Sequence, residues 1–235
     1  MDMKRIGMLV AMLLCVTVLF GGCGGADAAL YEEVKTVLSG VQSLTGGEFA
    51  LSVSYQEPQG SGAYTGTFVF LRQESGALSY CQTQLDQNDQ VVFCEFSDGE
   101  KAEQWMIGQG WRAVSHEPYT DTMLHPYLQM LSAQYERAEI REIQKQVDAS
   151  GICYTLYMDA GKVTKKQYAN DTAAVSVKEQ TITLQVNTDG QLTSYEENTT
   201  LTESQIDSSY SVHVNLAKHN GVTEVKKPQL RETFY

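Results

Sequence analysis

From Phe49 to the end of this chain, apolar residues fall again and again on every second position, and glycine- or aspartate-rich turns punctuate the runs. Side chains of an extended strand alternate between two faces, so this period marks strands with one face buried. Phe49, Leu51, Val53 and Tyr55 alternate with small or polar residues, and Tyr64 to Arg72 follows the turn-rich Glu57 to Gly62. The segment Leu78 to Phe96 reads as a hairpin turning at Asp86-Gln87-Asn88-Asp89. Asp98-Gly99 leads into Lys101 to Ile107, and Gly108-Gln109-Gly110 into Trp111 to Val114. Strands resume at Tyr135 to Val147 and Gly151 to Asp159, then at Val175 to Thr188, Gln191 to Thr202 and Ser209 to Leu216, with a last edge strand expected over Val222 to Pro228. Short turns between neighbouring strands specify an antiparallel meander.

Two stretches break this period. Leu30, Val34, Val37, Leu38, Val41 and Leu44 recur at helical spacing, with Asp27 placed to cap the start and Gly46-Gly47 to end the helix. Between Pro118 and Ala133, Tyr119, Met123, Leu124, Tyr127, Leu128, Met130 and Leu131 also fall mostly at helical spacing, where Pro126 is expected to kink or split the helix. A short lysine-rich helix is expected over Ala160 to Asn170. The fold class is therefore α+β, a curved antiparallel sheet wrapped over an N-terminal helix and a helical insert.

Met1-Asp2-Met3-Lys4-Arg5 puts two cations ahead of an apolar run from Ile6 to Phe20, closed by Gly21-Gly22 and Cys23. The 15 residues of the run fall short of the roughly 20 needed to span a bilayer. Charge, apolar run and small residues make a secretory signal. With the cysteine, they resemble the lipobox of bacterial lipoproteins, in which a peptidase cuts before a lipid-modified cysteine. Leu13-Leu14 precede Cys15 and are too bulky for such a cut, so the resemblance assigns the lipid to Cys23; Phe20 departs from the usual leucine. It implies a signal over residues 1–22, a tether over 23–29, a single domain over 30–235, and a place on the extracytoplasmic face of a cell membrane.

The full chain carries 17 cations and 29 anions. Loss of residues 1–22 removes Asp2, Lys4 and Arg5 and leaves 15 against 28, a net charge of −13. That balance excludes nucleic acid as a partner and gives no polybasic hold on anionic lipid. Attachment to the membrane would rest on the lipid.

A helix first, a long antiparallel meander, a lid-like helical insert and returning strands with the Asp189-Gly190 turn look like the lipoprotein-carrier fold of LolA and its mycobacterial LppX-type relatives. The likeness spans most of residues 30 to 228 and has no diagnostic motif. It implies an incomplete β-barrel over helices, with an apolar cavity between them.

Catalytic signatures are absent from the sequence. No nucleophile elbow, metalloprotease helix or phosphate-binding loop occurs, and the spacing of His213 and His219 matches no recognised metal pattern. No enzyme and no cofactor is implied. Adjacent acids such as Glu196-Glu197 point to opposite faces of a strand and cannot act as one pair; they and Asp86 with Asp89 read as solvated surface charge.

The candidates for binding are apolar: Trp105, Met106 and Trp111 near a turn, with Met123, Leu124, Tyr127, Leu128 and Met130 in the insert. Methionine adapts to irregular shapes and suits a pocket for a greasy ligand, while the same residues also suit a core where helix packs on sheet. If Asp86 to Asp89 form the hairpin loop, Leu85 faces Gln90 and Cys81 falls opposite Cys94, within reach of a disulfide; three reduced thiols, Cys153 included, are the alternative. Two functions stay open: a binder or carrier of an apolar or lipid ligand, and a sensor or interaction module with an envelope protein partner and a filled core.

Overall fold

The computed structural model describes residues 26–114, 119–120, 123–132, 135–167 and 175–230. The leader with Cys15 and Cys23, and also Pro118, Ala133 and Asn170, lie outside the described residues.

Asp27 starts the first helix, α1 (Ala28–Gln42), by accepting hydrogen bonds from the backbone N–H groups of Ala29 and Leu30 at 2.9 and 3.0 Å. Such a cap satisfies donors that the first turn leaves open. Ser43 closes the helix, and Gly46-Gly47, expected to end it, instead open the first strand. That strand approaches its neighbour so closely that a side chain at Gly47 would meet the Phe70 ring at 2.7 Å, which accounts for glycine there. Ala26 is buried and its N–H donates to Ile140 O at 3.3 Å, so the end of the expected tether belongs to the folded domain.

Eleven strands follow: β1 (Gly46–Glu57), β2 (Gly60–Arg72), β3 (Leu78–Leu85), β4 (Val91–Ser97), β5 (Ala102–Met106), β6 (Gly110–Ala113), β7 (Ile140–Asp148), β8 (Gly151–Met158), β9 (Val175–Asn187), β10 (Leu192–Glu203) and β11 (Ile206–His219). They form one antiparallel sheet in the order β6-β5-β4-β3-β2-β1-β11-β10-β9-β8-β7. The first six strands and the last five are two meanders joined where β1 pairs with β11. The sheet curves without closing, and β6 and β7 are its free edges. This is the incomplete barrel the sequence led us to expect.

Cross-strand pairs place each residue on a face. Phe49, Phe68, Tyr80, Leu184, Tyr195, Leu216, Tyr154 and Leu156 share the concave side, where Val34, Leu38 and Val41 of α1 pack among them. Glu33 of α1 reaches the same side and binds Lys145 Nζ and Tyr154 Oη, each at 2.6 Å.

The insert contributes α2 (Pro126–Leu131), which begins at Pro126. Of the expected kink or split, the structure shows the helix bounded at Pro126: residues 123–125 are not helical, and proline occupies the first turn, where its missing N–H costs nothing. A 3-10 turn (Arg137–Glu139) precedes β7, and α3 (Ala160–Gln167) connects β8 to β9.

The expected last strand over Val222 to Pro228 does not form. Residues 221–230 run as a strap across the convex face, from Val222 against Gly46 to Lys227. Lys227 Nζ lies 4.3 Å from the centre of the Trp111 ring and 2.6 Å from Glu103 Oε2, flanking Trp105.

Candidate functional site

The sequence candidates divide between two faces. Trp105 pairs with Cys94 on one side and with Trp111 on the other, so both tryptophans point to the convex face, away from the insert. Trp105 is buried there, and its Nε1 has no hydrogen-bond partner. Met106 takes the concave side, but at an exposed rim. These three are not brought together with Met123, Leu124, Tyr127, Leu128 and Met130.

Under the insert the interior is packed. His125 caps α2 by accepting the Tyr127 N–H at Nδ1, 3.3 Å away, and its ring sits 4.3 Å from Phe68, 4.9 Å from Tyr80 and Tyr119, and 5.3 Å from Tyr127. Leu128 and Leu131 are fully enclosed, Leu124 and Tyr127 pack at the margin, and Met123 faces solvent. Gln82 Nε2 donates to Tyr127 Oη at 2.9 Å, and burial pushes the Tyr127 hydroxyl up to about 12. Tyr80 Oη donates to Glu95, and burial followed by that carboxylate pushes the Tyr80 hydroxyl far above its ordinary value. A partly open cleft between α1 and Ile140, lined by Val34, Leu38 and Tyr135, measures only about 20 Å³, room for one water.

Open space lies to one side of the insert. A cavity of about 230 Å³ is bounded by Met130 of α2, Tyr135 and Glu139 before β7, Met158 of β8, Val163 and Lys166 of α3, Gln180 of β9, and Tyr195 and Glu197 of β10. Methionine and valine supply one wall and polar groups the other. The space suits a small ligand or one end of a longer one. Drug-sized pockets begin near 300 Å³.

The polar wall is a network built on Glu197. Its Oε2 accepts from Tyr195 Oη at 2.7 Å, and its Oε1 accepts from Gln180 Nε2 at 2.8 Å, Tyr210 Oη at 2.9 Å and Thr199 Oγ1 at 3.2 Å. Three donors thus converge on Oε1 and one on Oε2, which keeps an acceptor position open. Only the amide nitrogen of Gln180 can donate to this carboxylate, which leaves Gln180 Oε1 buried without a partner, rare for a polar atom in a protein interior. Tyr135 and Tyr195 share a 3.1 Å hydroxyl contact, and burial raises the hydroxyls of both. Glu139, almost fully enclosed, pairs with Lys166 at 2.9 Å and accepts the Glu136 N–H at 2.6 Å.

Of the sequence candidates, only Met130 lines this cavity. The missed residues carried a readable signal: Gln180 is in phase with Ile182, Leu184 and Val186, and Glu197 with Tyr195 and Thr199, so polar groups stand at inward positions of buried strands. Glu196 points outward and holds Asn198 at 2.8 Å, so of the adjacent acids only Glu196 is a surface charge.

The two cysteines take a register other than the expected one. Five residues, Asp86 to Gln90, separate β3 from β4, and a bulge lies between Gln84 and Leu85. Cys81 therefore pairs with Phe96 and Cys94 with Thr83, a diagonal relation on the convex face. Both are free thiols with sulfurs 3.9 Å apart. The Cys94 thiol hydrogen-bonds Cys81, pulling Cys81 below its ordinary value and pushing Cys94 up.

Among the described residues no group of three or more His, Cys, Asp or Glu could hold a metal, and no helix is long and apolar enough to cross a membrane.

No family model matches the chain, and no curated protein does. Solved structures similar to it include LprF from Mycobacterium bovis, at 12% identity over 87% of this chain and 99% of that one, with a TM-score of 0.46. A putative outer membrane lipoprotein-sorting protein domain from Vibrio parahaemolyticus is similar at 10% identity over 86% and 96%, TM-score 0.31. A LolA superfamily protein from Nitrosomonas europaea is similar at 8% identity over 79% and 94%, TM-score 0.26. At these TM-scores the likeness carries no functional argument; the chain's own open, curved antiparallel sheet establishes its architecture.

Proposed function

We propose that this protein is a non-catalytic binder of one small amphiphile, held on the extracytoplasmic face of a cell membrane by a lipid on Cys23. The observation that carries the binding is the cavity of about 230 Å³, with Met130, Met158 and Val163 facing Gln180, Tyr195 and Glu197. One wall takes methylene groups and the other takes a polar head. The volume suits a short chain or one end of an acyl chain and is too small for a whole diacyl lipid. Anchoring is supported by the lipobox-like order from Lys4 to Cys23. Two or three acyl chains on one cysteine, at about 0.8 kcal/mol per buried CH₂, would hold the acidic domain without help from charge.

A fluorescent short-chain fatty acid is the test. It should bind the intact protein, and Met158→Trp, which fills the apolar wall, should weaken binding about tenfold, the loss of roughly 1.4 kcal/mol of contact. No binding to the intact protein, or equal binding to both, would sink the proposal. Cys23→Ala tests the anchor: the variant should leave the membrane fraction or accumulate as precursor, and unchanged mass and anchoring would contradict it.

The packed interior around His125 favours a second reading, an interaction module for an envelope protein. One stoichiometric cross-linked partner, together with no fatty-acid binding, would select it.

A further inference from the structure

The turns β1–β2, β3–β4, β5–β6 and β10–β11 all lie at one end of the sheet, as do the starts of α1 and β7. The chain enters the domain at this end, since Ala26 is hydrogen-bonded to Ile140. Two residues, Gly24 and Gly25, separate Ala26 from Cys23, a span of three chain steps. At about 3.5 Å each they reach roughly 10 Å. A lipid on Cys23 therefore holds this end against the bilayer; this step rests on the anchoring proposed above.

The same end carries an unusual set of side chains. Six large apolar residues are exposed among the described ones, and Tyr55, Met106, Ile107 and Ile206, each 38–45% exposed, lie at its rim. Tyr55 pairs with Tyr210, Met106 with Phe93, and Ile206 lies four residues from Tyr210 on the same strand, so all three take concave-side positions at this end of the open sheet, the mouth of the half-barrel. Val147, at 60% the most exposed of the six, and Met123, at 51%, lie at the opposite end. Ladder pairs link Gln180, Thr199, Tyr210 and Tyr55 in one cross-sheet row, and Gln180 also lines the cavity.

We infer that this rim docks on a lipid bilayer, with Tyr55, Met106, Ile107 and Ile206 entering the interfacial region. Exposed apolar residues gathered on one rim mark a membrane or partner surface, and tyrosine favours the headgroup layer. The tether selects the membrane. Asp86, Asp89 and Glu203 stand at the turns and Lys162, Lys165 and Lys166 of α3 at the same end, so charges of both signs flank the apolar rim and docking rests on apolar contact. Docked this way, the mouth faces the lipid, and an amphiphile passes from bilayer to cavity without crossing bulk water.

The experiment places one tryptophan at each end. Full-length Ile206→Trp, Tyr55→Trp and Val147→Trp are reconstituted in phosphatidylcholine vesicles with brominated acyl chains, and the signal of Trp105 and Trp111 is subtracted using the parent protein. Both rim tryptophans should lose about half their emission or more on bromination, as expected for side chains buried some 5–10 Å into the interface, and Val147→Trp should not change. Raising the salt concentration should leave the quenching intact. Equal quenching at both ends, quenching at Val147→Trp alone, or none at all overturns the inference; the last is the result for a rim made to bind a protein. The mass of the same sample reads the anchor separately. A protein without acyl chains refutes lipidation of Cys23, while the quenching still decides the rim.

Discussion

At Glu33 a single carboxylate ties α1 to the far meander. The hydrogen bond from Lys145, then that from Tyr154, holds its pKa below the ordinary 4.5. A carboxyl depressed on folding contributes stability that is fully present above its unfolded value and is lost as pH falls through the lower folded value. Urea midpoints should therefore drop as the pH is lowered below about 4.5, and Glu33→Gln should flatten that part of the profile without changing its sign elsewhere. An unaltered slope in Glu33→Gln would remove this contact from the account. The thiols give a second residue-scale prediction. With oxidised glutathione, Cys81 and Cys94 should give up two protons and two electrons and form a disulfide, while Cys153 stays free. Thiol titration should count two fewer groups in the oxidised parent and one fewer, at most, in Cys81→Ser. Closing the gap from 3.9 Å to the 2.05 Å of a disulfide asks for a small shift of the two strands.

At the scale of elements, the strands and α1 were legible because each has one clear period: Leu30, Val34, Val37 and Leu38 on one side of the helix, Ile182, Leu184 and Val186 on one side of β9. Registers were less so. A single additional loop residue, Gln90, together with the bulge after Gln84 moved Cys94 from opposite Cys81 to opposite Thr83. Neither leaves a mark in the alternation of the strands. The strap over 221–230 was misread for a related reason, since an extended segment with Val222 and Val225 looks like a strand until the sheet edge turns out to be elsewhere. Gly151 shows how tightly turns fix the far meander. Its φ is +144°, and an added Cβ would lie 1.9 Å from Val186 O. Gly151→Ala should cost about 2 kcal/mol or more in urea unfolding, through backbone strain and displacement of β9. A cost under 0.5 kcal/mol, the range of ordinary surface substitutions, would mean that β8 and β9 can part freely there.

On the scale of the whole molecule, the sheet is wrapped so that its filled half lies under α2 and its open half beside α3. The candidate site was scarcely readable in advance because it is shared among Met130, Glu139, Met158, Lys166, Gln180 and Glu197, which come together only when the last meander is assembled and α2 and α3 pack beside it. Composition pointed to the aromatic and methionine-rich segment, most of which fills the core or faces solvent. What decides the function is whether the remaining space holds a ligand. Native mass spectrometry of the full-length protein, released from membranes in mild detergent, reads this directly. The account predicts one small amphiphile per protein, lost in Met158→Trp; the bare protein mass in both would contradict it.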